Sequence, residues 1–325
     1  MSFRSKLLST TVLAVAGSLW VSPAALAIPA TPCDTVAGAT TTITCSSDHV
    51  VQIDTAGDPT LVTLNPDATV TWNGGTVISL EGDADLVQKA DSVVSGSSSR
   101  YAVELLGGNN SATLNDGASI VLTNANSFGS NSTAVRIAGE TGSNDLTLNG
   151  GSTINVYGGS ANKYGNRTIT GVSAYGEDFT VTLNGGSSIN VVGTGTNKYN
   201  TYVGASLDSF SDSKTDRPSI TLNGASTINV SNSKYNSNST RLYGIRAQSI
   251  DSDKYAPDVV LNGGSSVTLN AENHAGYAHG IYSEGLNANV TLSGGSVVRI
   301  NGYSGTNGGK YVGIYVGEQG QSKDL

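Results

Sequence analysis

The sequence predicts an all-β fold, a right-handed parallel β-helix (solenoid) of three sheets and about seven coils, and three observations carry that expectation. The stretch Leu148-Asn149-Gly150-Gly151-Ser152-Thr153-Ile154-Asn155-Val156 returns from Leu183 to Val191, from Leu222 to Val230 and from Leu261 to Leu269, with looser copies starting at Trp72, Leu114 and Leu292. Apolar residues in each copy alternate with period two and are rich in Val and Ile, which is strand patterning. Successive copies start 42, 34, 35, 39, 39 and 31 residues apart, too irregular for helical pairs of constant length.

Taken in order, residues 1–27 read as a signal peptide. Arg4 and Lys6 precede an apolar run from Leu7 to Val21, and Ala25-Leu26-Ala27 supplies small residues for cleavage ahead of Ile28. The run is shorter than the roughly 20 apolar residues of a spanning helix. Cleavage takes the formal charge from −8 to −10. An acidic chain without basic clusters excludes a binder of phosphate backbones, so no nucleic-acid partner is expected.

Residues 28–47 read as an N-terminal cap. The only two cysteines, Cys33 and Cys45, fall in it, and in an oxidising compartment they are expected to form a structural disulfide. The rival use is a metal site, for which only His49 lies near, and two thiols with one imidazole do not complete a tetrahedral set. No metal and no cofactor is expected.

Residues 48–325 read as the coils. Each unit holds three strand signals: a Gly-Val or Gly-Ile pair such as Gly171-Val172 or Gly244-Ile245, a Val-x-Leu segment such as Val181-Thr182-Leu183, and an Ile-Asn-Val segment such as Ile189-Asn190-Val191. Asn-Gly-Gly between the second and third tolerates positive φ and makes a tight corner. One such ribbon cannot bury its apolar face, so successive units must stack. Seven coils at about 4.8 Å give a rod of roughly 35 Å. Leu146, Leu148, Ile154 and Val156 should face inward beneath Val181, Leu183, Ile189 and Val191. Asn149, Asn184, Asn223 and Asn262 should form an amide ladder.

Two outer edges differ in character. Loops from the third strand to the next first strand carry Lys163-Tyr164, Lys198-Tyr199, Lys234-Tyr235 and Lys310-Tyr311, a ridge that could offer charge and rings to a glycan or a host protein. The alternative is that these are ordinary solvated loop residues copied along with the repeat. The turn from first to second strand collects carboxylates, among them Asp145, Asp208, Asp212, Asp258 and Glu284. No catalytic residue is assigned. Gly-x-Ser-x-Gly is absent, His274 and His279 are read as loop residues, and the carboxylates are placed at corners and not paired within a strand. A pectin lyase-like, polysaccharide-active β-helix remains the enzyme alternative.

The signal segment, the Gly-Val/Ile strands and the Leu-Asn-Gly-Gly-Ser-Ser-Ile-Asn-Val coils resemble the passenger domain of bacterial autotransporters of the pertactin-like β-helix type, over roughly residues 48 to 320. The resemblance implies type V secretion, with export by the signal peptide and passage through an outer-membrane translocator barrel. It further implies a virulence-type role in adhesion, aggregation or contact with a host, at the cell surface or after release. Partners would be a host surface protein, a glycan or a second copy of the chain. Nothing after Gly317 resembles the barrel, so the passenger is expected to be a truncated one with an uncapped C-terminal end. A chain with no barrel at all would be periplasmic.

Overall fold

The computed structural model describes residues 33–36, 40–50, 52–55, 59–97, 99–125, 131–158, 167–194, 200–214, 217–232, 240–271, 276–302 and 310–318. The expected signal segment lies outside them. Among the described residues the regular structure is all strand, and the strands stack into a parallel β-helix.

The strands fall into three columns. The first includes Thr76–Glu81, Tyr101–Leu106, Thr201–Ser209, Arg241–Ser249, Tyr277–Glu284 and Lys310–Gly317. The second includes Thr41–Cys45, Thr60–Leu64, Ala84–Gln88, Asn110–Leu114, Ser219–Leu222, Asp258–Leu261 and Asn289–Leu292. The third runs from His49–Val50 to Val297–Gly302 as a nine-stranded sheet. Two long strands, Ser132–Leu148 and Thr168–Leu183, turn the corner unbroken and belong to the first and second columns at once. Those columns therefore share one 17-stranded hydrogen-bonded sheet.

Nine strands in the third column exceed the seven repeat copies, and the difference has a physical cause. Trp72, taken as the start of a unit, lies instead in the third-column strand Thr69–Asn73. The residues stacked in register below Leu114 are Gln88, Leu64 and Cys45. Gln88 is fully buried and its amide donates to Ser119 O at 3.3 Å, so a polar residue fills a place where the later coils have Leu. The corner after it has Asp91 at φ 56° where every later corner but that of Ala225 has glycine. The parallel stack thus begins at Thr41, inside the segment expected as cap. Asp34–Val36 pairs antiparallel with Thr41–Cys45, and the Cys33–Cys45 disulfide ties that hairpin down.

The core follows the expected alternation. Leu146, Leu148, Ile154 and Val156 are fully buried, and Val181, Leu183, Ile189 and Val191 are their register partners one coil on. Each buried Leu, Ile or Val contributes about 1.5–3 kcal/mol by leaving water. Corners are held by side-chain bonds running along the stack. Asn149 donates to Asn115 at 3.1 Å, Asn184 to Asn149 at 3.0 Å, Asn223 to Asn184 at 3.0 Å and Asn262 to Asn223 at 3.1 Å. In the corners that begin at Asn149, Asn184, Asn223 and Asn262 a buried serine closes the turn, as Ser187 Oγ does on Asn184 O at 2.7 Å. A second amide ladder, Asn155, Asn190 and Asn229, runs up the outside of the third column with 2.9 Å bonds.

The first column lies closest to the facing sheet, and there side-chain size shrinks along the stack. The inward register position is Val77, then Ala102, Ala134, Gly171, Gly204, Gly244 and Gly280. A Cβ on Gly204 would stand 2.5 Å from Gly244 O and collide with Ile228 Cγ2. That close approach is what makes the Gly-Val/Ile signal recur.

Candidate functional site

If inward positions are filled by core, function must sit on outward ones. On the first column the outward residue immediately follows each buried Val, Ala or Ile: Glu104, Arg136, Ser173, Ser206, Arg246 and Tyr282 stack in register. The neighbouring outward row is Tyr101, Thr133, Thr170, Val203, Tyr243 and His279. Both rows are bulky at their ends and small in the middle. The consequence is a groove of about 240 Å³. Thr133, Thr170, Ser173 and Ser206 give it a hydroxyl floor, and Arg100, Arg136 and Arg246 line it as its charged groups.

The ends of the groove are organised differently. At one end Arg136 Nη1 is 2.5 Å from Glu104 Oε1, and the guanidinium carbons of Arg100 and Arg136 lie 5.0 and 5.4 Å from the Tyr101 ring centre. Two cations thus share one aromatic ring, with one carboxylate orienting one of them. At the other end, no described carboxylate lies within ion-pair distance of Arg246. Asp208, one strand away, feels its charge, yet burial pushes the Asp208 carboxyl above its ordinary value more than Arg246 pulls it down. Ser206 Oγ donates to Asp208 Oδ2 at 3.4 Å.

Beyond Arg246 the same face becomes aromatic. Tyr243 stacks on His279 at 5.4 Å and Tyr282 on Tyr315 at 4.8 Å with 10° between planes. These rings stack along the column on one another, so their faces are largely used up within the protein. Tyr282 donates to Glu284 Oε2 at 2.7 Å, and Gln248 donates to the same oxygen at 3.0 Å. Burial, and then the bond to Glu284, raise the Tyr282 phenol far above its usual range. His279 is lowered, first by burial and then by the charge of Arg241.

Several expected placements change. His279 is in the strand Tyr277–Glu284 and not in a loop, and its Nδ1 is buried with no partner among the described residues. Asp208 and Glu284 are strand residues on one outward row with Gln248 between them, not corner residues. Asp212 does lie at the first-to-second corner, while Asp258 opens the second-column strand that follows it; Lys254 and Arg217 pair with them at 2.6 Å each, so that edge is partly neutralised.

Of the Lys-Tyr ridge, Lys163, Tyr164, Lys198, Tyr199, Lys234 and Tyr235 lie outside the described residues. Lys310 is exposed, but Tyr311 is the register partner of buried Ala278 and packs against the core. Tyr311 is therefore half-buried against the core, with Lys310 outside it. Cys33, Cys45 and His49 bring their sulfur and nitrogen atoms within 4.8 Å of one another, but the sulfurs are bonded to each other and are not thiolate ligands. The groove went unnoticed in the sequence although its signal is there, as the residue after each Gly-Val/Ile or Ala-Val pair.

Comparison with protein-family models, with curated proteins and with solved structures gives no match.

Proposed function

We propose that this chain is an exported, non-catalytic β-helical binding protein of the autotransporter-passenger kind, acting at the cell surface or after release in adhesion or host contact. The observation that carries the reading is the outward face of the first column. It is a surface of Ser and Thr hydroxyls with Arg136 and Arg246 on one register row and Arg100 beside it, built on strands whose inward faces are committed to core. Rigid, repeated strands suit a surface that holds a partner by many modest contacts. The signal segment and the coil motif support export.

The enzyme reading is favoured by one feature, the strand-borne pair Asp208 and Glu284. Two rungs of about 4.8 Å separate them, near the spacing of a general acid and a general base. Against it, Gln248 fills the place between them, and Glu284 is already bonded to both Gln248 and Tyr282. The test is production of the whole chain in a Gram-negative host. The reading expects a mature N-terminus at Ile28 outside the cytoplasm, and no sugar released from a panel of polysaccharides. An uncleaved cytoplasmic chain would overturn the export part. Product release abolished by Glu284→Gln would replace binding with catalysis.

A further inference from the structure

We propose that the first-column groove is a binding site for an acidic glycan, lying along the stack with its acid groups on Arg136 and Arg246; the proposal rests on the binding-protein reading above. Four features of the groove select this ligand.

The first is charge. Arg100, Arg136 and Arg246 line the groove and no carboxylate does, on a chain whose net charge is −8. A local basic groove on an acidic protein selects an anion by position and not by overall attraction. Three arginines are too few to hold a nucleic-acid backbone, for which a basic surface of many contacts is needed.

The second is geometry. Arg136 and Arg246 occupy the same outward row with Ser173 and Ser206 between them, so they stand three rungs apart, about 14 Å along the stack. A single small anion cannot bridge that distance. A short run of sugar rings can, with one acid group at each end. Guanidinium forks match carboxylate and sulfate oxygens two at a time.

The third is the floor. Thr133, Thr170, Ser173 and Ser206 each offer a hydroxyl that both donates and accepts, which suits a ligand that is itself covered with hydroxyls. A protein loop would instead ask for apolar pockets, and the lining has none. The fourth is preparation. Arg136 is already oriented by Glu104 and by the Tyr101 ring, so little side-chain freedom remains to be lost on binding at that end.

The experiment is titration calorimetry on the mature chain with three probes: oligogalacturonate, which carries carboxylates, a heparin-derived oligosaccharide, which carries sulfates, and carboxyl-reduced oligogalacturonate, which is neutral. Binding of either acidic probe and not the neutral one supports the site, and which of them binds names the acid group. Arg136→Gln and Arg246→Gln should each weaken binding about tenfold, the loss of about one charge-assisted contact. Ser173→Glu, an outward change that leaves both arginines in place, should abolish it. Arg299→Gln, on the exposed face of the third column, should leave it unchanged. The site is overturned if no acidic probe binds folded protein at millimolar concentration, if the neutral probe binds equally, or if Arg299→Gln weakens binding as much as Arg246→Gln. Any of these would leave the export result standing, since that is read from the N-terminus and the compartment.

Discussion

Replacing Gly204 with alanine adds one methyl group where the first column has no room for it. The new Cβ would lie 2.5 Å from the carbonyl oxygen of Gly244, about 0.9 Å inside the 3.4 Å where ordinary contact begins, and would also collide with Ile228 Cγ2. Ile228 is fully buried, and the Gly244 backbone is held between two strands, so neither can move without disturbing a neighbouring coil. Overpacking of this kind costs about 1–3 kcal/mol for one side-chain conflict. With a backbone conflict added, about 3 kcal/mol is expected, or a fall in Tm of about 5 °C for a chain of this size. The control is Gly313→Ala, in the same Gly-Ile motif, where an added Cβ meets no described atom within 4 Å. It should be neutral or slightly stabilising, because alanine restricts the unfolded chain more than glycine does. Thermal unfolding followed by far-UV circular dichroism separates the two. Equal melting temperatures for Gly204→Ala and the parent would refute the packing argument, as would equal losses for the two variants.

Other expectations follow from single contacts. Ala225 holds φ 62° at the corner position where its neighbours have Gly186 and Gly264, so Ala225→Gly should raise stability by about 0.5 kcal/mol, relief of left-handed strain outweighing added chain entropy; a drop in the urea midpoint would contradict this. Asn184→Ala removes one ladder bond on each side and should cost about 2 kcal/mol in the same assay. Reducing the Cys33–Cys45 bridge, which spans 12 residues, should cost about 3 kcal/mol by the loop-entropy relation, seen as early loss of protection at Thr41–Cys45 in hydrogen exchange. His279 is held below its ordinary 6.5 in the folded protein, chiefly by burial, so its contribution is present above 6.5 and is lost as pH falls through the lowered value. Between pH 7 and pH 5 the parent should therefore lose more stability than His279→Phe, which keeps a ring against Tyr243; parallel losses would refute it.

Much of the fold was legible because each coil repeats the same compromise. Leu183, Ile189 and Val191 alternate inward, Asn184 turns the corner, and the amide ladder follows from stacking alone. The N-terminal coils escaped because Gln88 stands where Leu is usual in one of them and because Asp67 and Asp91 do the work of glycine at successive corners, so side-chain bonding and a strained backbone substitute for the motif. The long strands at Ser132–Leu148 and Thr168–Leu183 were hidden for another reason: the corner is taken on a local bulge between Gly139 and Ser143, with Gly142 at φ 88°, and not on an Asn-Gly-Gly motif. The groove was hidden because its members are ordinary. Ser173 and Ser206 become a floor only when register places them between Arg136 and Arg246, and register is a property of the stack and not of one coil. Tyr311 misled because Lys-Tyr read as a unit, whereas alternation sends the lysine out and the tyrosine in.

The most direct test of the account is whether coils stack in the register on which both the core and the groove depend. Thr182 and Thr221 are in-register partners on adjacent second-column strands, with Ser219 two residues out of step. Thr182→Cys with Thr221→Cys should form a disulfide on mild oxidation, identified by mass spectrometry, because adjacent strands lie about 4.8 Å apart, within disulfide reach. Thr182→Cys with Ser219→Cys should not. Linkage of the offset pair in preference to the in-register pair would contradict the stack, and the arginine groove with it.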